Sequence, residues 1–373
     1  MKKSWYISLF MLLSIVWVSL SYKAPDTKDN THGEPTKNDS IILVFAGDIM
    51  GHVPQIEAAY NKSTKTYDFN PCYTYIEPYI KSADIAVANL EVPLAGKPYS
   101  GYPCFSSPDA LLDGAVNAGF KVMQLANNHI ADRGERGIER SYITVNKKVK
   151  SMGVYPNQAQ RDSLYPLIIE VKGLKIALLN CTFGTNGHVV SAPKIVNLID
   201  TVQIRNDIQT ARKRGAQFVV MTIHWGNEYE LKSNSLQESL AGFMTKAGVD
   251  AIIGSHPHVV QNFEMLSRSD SSKIPVFYSL GNMISNQRWR NSNGGILARI
   301  TILKNSCKIK KVDYLPFYVY KGTLNRKFQY YLIPTEKYRN GLLSVSLPAR
   351  DDSMLVTFDQ DTRNRLQNIQ SFK

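Results

Sequence analysis

Seven apolar runs of four to six residues recur along the chain with amphipathic segments between them, and this alternation limits the fold more than any other feature. The runs lie at 41–46, 85–89, 122–126, 176–180, 218–223, 251–254 and 276–280. Apolar runs this short read as buried strands. Between them, segments 73–81, 109–118, 134–152, 201–214 and 235–247 carry helix-like spacing, and Gly119, Gly153, Gly215 and Gly248 stand where C-terminal caps are expected. Strand and helix in alternation argue an α/β class. Two features make the sheets mixed. Lys172-Gly173 reads as a tight turn joining strands 167–171 and 174–181, with no helix between them. Beyond Lys304 the pattern changes to aromatic strands at 308–320 and 328–333, followed by a helix at 351–369.

The chain has 373 residues, 43% hydrophobic and 20% charged, enough for one large core with extensions. Met1-Lys2-Lys3 precedes an uncharged apolar stretch at 4–20, the pattern of an export signal. Segment 1–21 is therefore expected to be a cleaved signal peptide or a retained anchor, and 22–40, rich in Lys, Asp, Asn, Thr and Pro, a flexible linker. No cysteine follows the apolar stretch, so a lipoprotein anchor is not expected. Cys72, Cys104, Cys181 and Cys307 show no metal-binding spacing, and outside the cytoplasm an even count permits disulfides, with Cys72 and Cys104 a candidate pair. The net charge of +13 is not a product of the leader, which contributes only Lys2 and Lys3. It suits an anionic envelope partner, although diffuse surface charge reads equally well; nucleic acid is not expected among the partners.

Polar residues end the apolar runs in a regular way. Gly47-Asp48 closes the first, Asn89-Leu90-Glu91 the second and Asn127-Asn128-His129 the third; His224-Trp225-Gly226 and Ser255-His256-Pro257-His258 close later ones. Of seven histidines, five (52, 129, 224, 256 and 258) follow or interrupt such runs. Alone, Asp48 reads as a turn residue or cap, Asn128 as a helix cap and His224 as a satisfied core imidazole. Together, at the carboxyl ends of strands where ligands converge in α/β sheets, they form a mixed oxygen and nitrogen set suited to Zn, Mn or Fe.

With Tyr278-Ser279-Leu280-Gly281-Asn282 behind them, these motifs resemble the CapA type of bacterial capsule synthesis protein, associated with poly-γ-glutamate and grouped with the calcineurin-like metallophosphoesterases. The resemblance spans about 41–295. It implies a four-layer αββα sandwich of two mixed sheets, filled by a domain at 41–304 that the strands and helix of 305–373 complete or extend. It implies two divalent metal ions, the first held by Asp48 and His258, the second by Asn128, His224 and His256, with Glu91 bridging. His129 falls where the superfamily protonates the leaving group. Asp48-Ile49-Met50 departs from the usual Asp-x-His, which leaves His52 as a substitute ligand, a substrate-facing histidine or a structural one. Asp132 and Glu228 are candidates to orient ligand histidines, or simply caps and solvated charges. The expected function is an exported protein of capsule or related envelope polymer synthesis with a metal-dependent hydrolase site, meeting an anionic polymer or its precursor, with a membrane-bound synthesis complex as a further partner. A non-catalytic polymer-binding component and a simple periplasmic phosphatase are the alternatives.

Overall fold

The computed structural model describes residues 39–372. The expected export signal lies outside them, as does nearly all of the expected linker; among the described residues no helix is long and apolar enough to cross a membrane. Two sheets carry the architecture. The larger has the order Lys327–Pro334, Ile309–Leu324, Gly294–Leu303, Ser40–Ile49, Ile85–Leu90, Val122–Gln124, Lys150–Met152, with Asn282–Ile284 beside Ser40–Ile49. Its last four strands run parallel and its C-terminal three antiparallel. The smaller has the order Phe263–Ser267, Lys273–Phe277, Ala251–Ser255, Phe218–His224, Leu174–Thr182, Leu167–Val171. It is parallel at the centre and antiparallel at both edges.

Alternation along each strand divides the core. Ile41, Leu43 and Phe45, with Ile85 and Val87, meet Ile176, Leu178, Val220 and Ile253 of the smaller sheet in one cluster. The intervening Val44, Ala46, Ala86 and Ala88 face the other way and pack with Leu111, Leu112 and Ile138 of helices Ala110–Asn117 and Gly134–Asn146. The outer face of the smaller sheet, Leu179, Val219, Met221 and Ile252, is covered by Ile204 and Ile208 of Thr201–Lys213 and Leu240 and Met244 of Ser235–Ala247. The result is the four-layer αββα sandwich. Each fully buried aliphatic side chain contributes about 1.5–3 kcal/mol relative to exposure, so a period-two strand stabilises both of its faces.

Local chemistry sets the joints. Lys172 and Gly173 both adopt positive φ, 52° and 82°, as a two-residue hairpin of this hand requires. Gly248 ends its helix in the left-handed conformation. The segment expected as one helix over 134–152 is two elements: the helix stops at Asn146 and Lys150–Met152 pairs with Val122–Gln124 as the edge of the larger sheet. Gly153 therefore follows a strand and caps no helix. Likewise 73–81 is a short 3-10 turn, Asn70–Tyr73, and a helix, Glu77–Lys81; Pro78 supplies the new helix start.

All four cysteines are free, so the expected Cys72–Cys104 bridge is not made. Cys72 is enclosed in the hydrophobic core, and the Cys104 thiol donates to the Asp132 carbonyl at 2.8 Å.

Candidate metal centre

The parallel strands of both sheets bring their carboxyl ends together, and the sequence there turns the side chains inward. A register shift between Ala46 and Asp48 marks a bulge at Gly47, where a Cβ would stand 1.9 Å from the Gly281 carbonyl oxygen. Asp48 follows, fully buried. Its Oδ1 accepts from Asn89 Nδ2 at 2.8 Å, and its Oδ2 lies 3.1 Å from His258 Nδ1 and 3.3 Å from the His256 backbone nitrogen, which donates to it. Burial raises the Asp48 carboxyl, but His258, by hydrogen bond and by charge, and then Asn89 outweigh it and leave it below the ordinary value.

Glu91, two residues past Asn89, is also fully buried. Its Oε2 accepts from Asn89 Nδ2 at 3.2 Å. Its Oε1 makes no hydrogen bond, although it lies 3.4 Å from His224 Nε2 and 3.7 Å from His258 Nε2. Burial first, and then the neighbouring Asp48 carboxylate, push the Glu91 carboxyl well above its usual range.

His224 ends its strand directly opposite Ser255 and Thr182 in the parallel register. Its Nδ1 pairs with Ser255 Oγ at 2.9 Å and its Nε2 with Asn128 Oδ1 at 2.9 Å. Burial holds His224 well below the ordinary imidazole value and lowers His256 to about 3. Both rings are therefore neutral, the form that binds a metal. His256 and His258 sit at φ of +97° and +57°, a conformation costly for side chains with a Cβ and characteristic of functional sites. His256 Nδ1 is buried without a partner.

Two groups of three ligand atoms, each within 4.8 Å of one another, emerge: Asp48, Glu91 and His258, and Glu91, His224 and His256. Glu91 belongs to both. An unpartnered buried carboxylate oxygen and an unpartnered imidazole nitrogen are costly unless something supplies their interaction, and a divalent cation fits this donor set. Asn128 joins the second group through His224.

His129 lies beside the cluster, with Nδ1 2.9 Å from Asp132 Oδ2 and its ring edge-on to Phe105 at 4.8 Å. Asp132 Oδ2 also accepts from the Phe105 backbone at 2.8 Å, so the carboxylate itself is fixed. His52 stands in neither donor group. Its Nδ1 and backbone nitrogen both meet Gln55 Oε1 at 3.0 Å, making it the N-terminal cap of the helix Val53–Ala59, and burial lowers its pKa to about 4. Glu228 is exposed and hydrogen-bonds Tyr229 instead of a site histidine. Arg288 and Arg290 are held structurally, Arg288 by Val319 and Tyr318, Arg290 by Asp361.

Several residues that hold the cluster were given no role by the sequence: Asn89 and Asn127 stand in its motifs unassigned, and Asn186 and Phe183 lie outside them. Asn89 hydrogen-bonds both carboxylates, and Asn127 in turn donates to Asn89 Oδ1 at 3.3 Å. Asn186 accepts from Asn128 at 3.2 Å, and the Phe183 ring lies 4.6 Å from that of His256. Both follow the strand Leu174–Thr182, so the same search of strand ends, extended to this one, points to them.

The family model for the bacterial capsule synthesis protein PGA_cap matches residues 42–287, well over half of the chain and every residue of the cluster. The chain belongs to this family. The capsule biosynthesis protein CapA of Bacillus anthracis is 27% identical over 326 residues, 84% of this chain and 74% of that protein. The PGA biosynthesis protein CapA of Bacillus subtilis (strain 168) is 28% identical over 318 residues, 82% of this chain and 79% of that protein. Among solved structures, the calcineurin-like phosphoesterase YfkN from Bacillus subtilis is 12% identical, with a TM-score of 0.42 over 87% of this chain and 97% of that one.

Proposed function

We propose that this PGA_cap member is an exported, metal-dependent hydrolase acting in the synthesis of capsule or a related anionic envelope polymer. The observation that carries the reading is the Glu91 carboxylate, buried, unpartnered at Oε1 and common to two three-ligand groups. Export is supported by the basic start and uncharged apolar stretch at 4–20, and the polymer by the family and by two relatives named for capsule and PGA biosynthesis.

On this reading Asp48, Glu91 and His258 hold one divalent ion, and Glu91, Asn128, His224 and His256 a second, of Mn, Zn or Fe. Bound there, such ions lower the pKa of water and polarise the scissile group. The chain's own residues do the rest. Asn89 keeps Asp48 and Glu91 side by side despite their repulsion, and Ser255 holds His224 Nδ1 so that Nε2 is the ligand atom. Asp132 on Nδ1 of His129 leaves Nε2 to give a proton to the leaving oxygen or nitrogen as its bond to phosphorus or carbonyl carbon breaks.

One observation favours a non-catalytic, polymer-binding role: Met50 is buried in the core and offers no nitrogen, so the Asp48 group has no counterpart to the Asn128 that adjoins His224 in the other. Elemental analysis of the purified chain decides the metal: at least one ion per chain is expected, and less than about half an ion, unchanged in His256→Ala and His258→Ala, overturns it. A screen of phosphomonoesters, phosphodiesters and γ-glutamyl peptides then separates enzyme from binder. Metal-dependent turnover lost in His129→Ala with metal retained is the expected result; no turnover by the parent on any of them favours the binder.

A further inference from the structure

Six aromatic side chains are exposed among the described residues, and four of them, Tyr102, Phe183, Tyr229 and Trp289, stand around the cluster just described. Phe183 lies against one donor group: its ring stacks on His224 at 6.2 Å and 9° and meets His256 at 4.6 Å. Tyr229 lies against the other, 6.1 Å from His258, with Trp289 edge-on to it at 5.1 Å. Tyr102 reaches Phe105, the ring that packs on His129.

Tyr229 is not a surface residue left to chance. Its backbone is in the left-handed region at φ +67°, and its nitrogen donates to the carbonyl of Pro257, between the two histidines. Its hydroxyl accepts from Gln287 at 3.1 Å. Strain of this kind, on the order of 1 kcal/mol or more, persists where the surroundings over-determine it. Here the result is a ring held open to solvent beside a ligand histidine. Exposed rings gain most by covering a flat, apolar-faced partner.

We infer that Phe183 and the Tyr229–Trp289 pair are specificity-determining residues that select a phosphoester bearing a ring next to its anionic centre, a sugar or a nucleobase. The inference rests on the metal-site reading above and narrows its substrate. A ligand spanning both donor groups meets Phe183 on one and Tyr229 with Trp289 on the other. An unbranched aliphatic polyanion such as γ-linked glutamate leaves all three rings uncovered.

Calorimetric titration of the full-length, metal-loaded protein with inorganic phosphate, glycerol phosphate, glucose 1-phosphate and adenosine monophosphate tests this. A ring-bearing ester is expected to bind about tenfold tighter than glycerol phosphate, the scale of one stacking contact; which of the two gains distinguishes sugar from base. The advantage is expected to shrink toward unity in Phe183→Ala or Trp289→Ala and to persist in Trp289→Phe. Equal affinity of all three esters, or an advantage unchanged in both alanine variants, overturns the inference while phosphate binding leaves the site reading standing. Failure of inorganic phosphate to bind the metal-loaded chain overturns the site reading, and this inference with it.

Discussion

His129 shows how much one side chain depends on a neighbour. Asp132 accepts from its Nδ1 at 2.9 Å and is itself fixed by the Phe105 backbone, so the carboxylate sets both tautomer and ring direction. Asp132→Asn keeps the shape and loses that control; turnover is expected to fall about 10–100-fold, the usual cost of removing an orienting partner, with metal content unchanged by elemental analysis. Equal turnover in the variant would remove Asp132 from the site. The buried histidines give a second test, on chelated protein. His256 is lowered to about 3 and His52 to about 4, with His224 also well below the ordinary 6.5. The unfolded chain therefore takes up protons first as pH falls below about 6.5, and stability drops through the window down to about 3. Glu91 and Asp207, both raised by burial, act in the opposite sense, but two carboxyls stand against three imidazoles. The midpoint of thermal unfolding should fall from pH 6.5 to 4.5, and His256→Asn should shallow the dependence by about one proton, ~1.4 kcal/mol per pH unit. An unchanged slope in the variant would mean that His256 is not held neutral. At this scale the sequence was partly legible: Asp48, Glu91, Asn128, His224, His256 and His258 all end apolar runs, and the structure brings them together. The roles of Asn89, which stands in a motif, and of Asn186 were not, because an asparagine that holds a carboxylate or another amide looks the same in a sequence as one that caps a helix.

Elements were most legible where one face alone is buried. Ser235–Ala247 coincides with its sequence bounds because Asn234 and Gln237 form a reciprocal cap and Gly248 ends it. The 134–152 segment was misread because its last apolar residues, Met152 and the neighbouring Val149, continue a helical spacing; only pairing with Val122–Gln124, a tertiary fact, makes Lys150–Met152 a strand. His52, expected as a ligand, a substrate-facing residue or a structural one, is a cap because Gln55 stands three residues on, a spacing visible beforehand. The strand Ala251–Ser255 couples element to site most directly. At Gly254 an added Cβ would lie 1.9 Å from the Tyr278 carbonyl oxygen and 2.5 Å from Trp225 Nε1, which donates to that same oxygen at 2.9 Å. Gly254→Ala must therefore spread two strands just before the His-Pro-His turn. A loss of about 2–3 kcal/mol in urea unfolding is expected, with reduced metal content, since a clash with backbone between paired strands is not relieved by a rotamer change. A variant of parental stability would show that the strands part more easily than this spacing allows.

For the molecule as a whole, residues beyond the matched span 42–287 complete the sheet on which a site lying entirely within that span is built. Gly294–Leu303 pairs with the strand that bears Asp48 and makes it interior to its sheet, and Ile309–Leu324 and Lys327–Pro334 extend the sheet beyond Gly294–Leu303. The helix Ala349–Arg365 then places Leu355 and Phe358 in the cluster between the two sheets, together with Ile296, Tyr318 and Ile333. Phe358 is almost wholly buried, and its ring occupies the space that a Cβ on Gly294 would enter, 2.7 Å from its Cζ. Gly294 in turn lies one residue from Gly295, which bridges to Gly281, and the Gly281 carbonyl accepts from the backbone nitrogen of Asp48 at 3.1 Å. The C-terminal helix thus sits on the sheet that holds the first carboxylate, through packing and through side-chain bonds such as those of Tyr318 to Asp351 and Thr335 to Asp359. Phe358→Ala should cost about 3–5 kcal/mol of unfolding free energy, the range for deleting a buried ring. Because no side chain of the cluster is touched, metal content per folded chain should stay at the parental value. Denaturant unfolding and elemental analysis of the same preparation read the two separately. A large loss of metal at unchanged stability would instead make the helix part of the site.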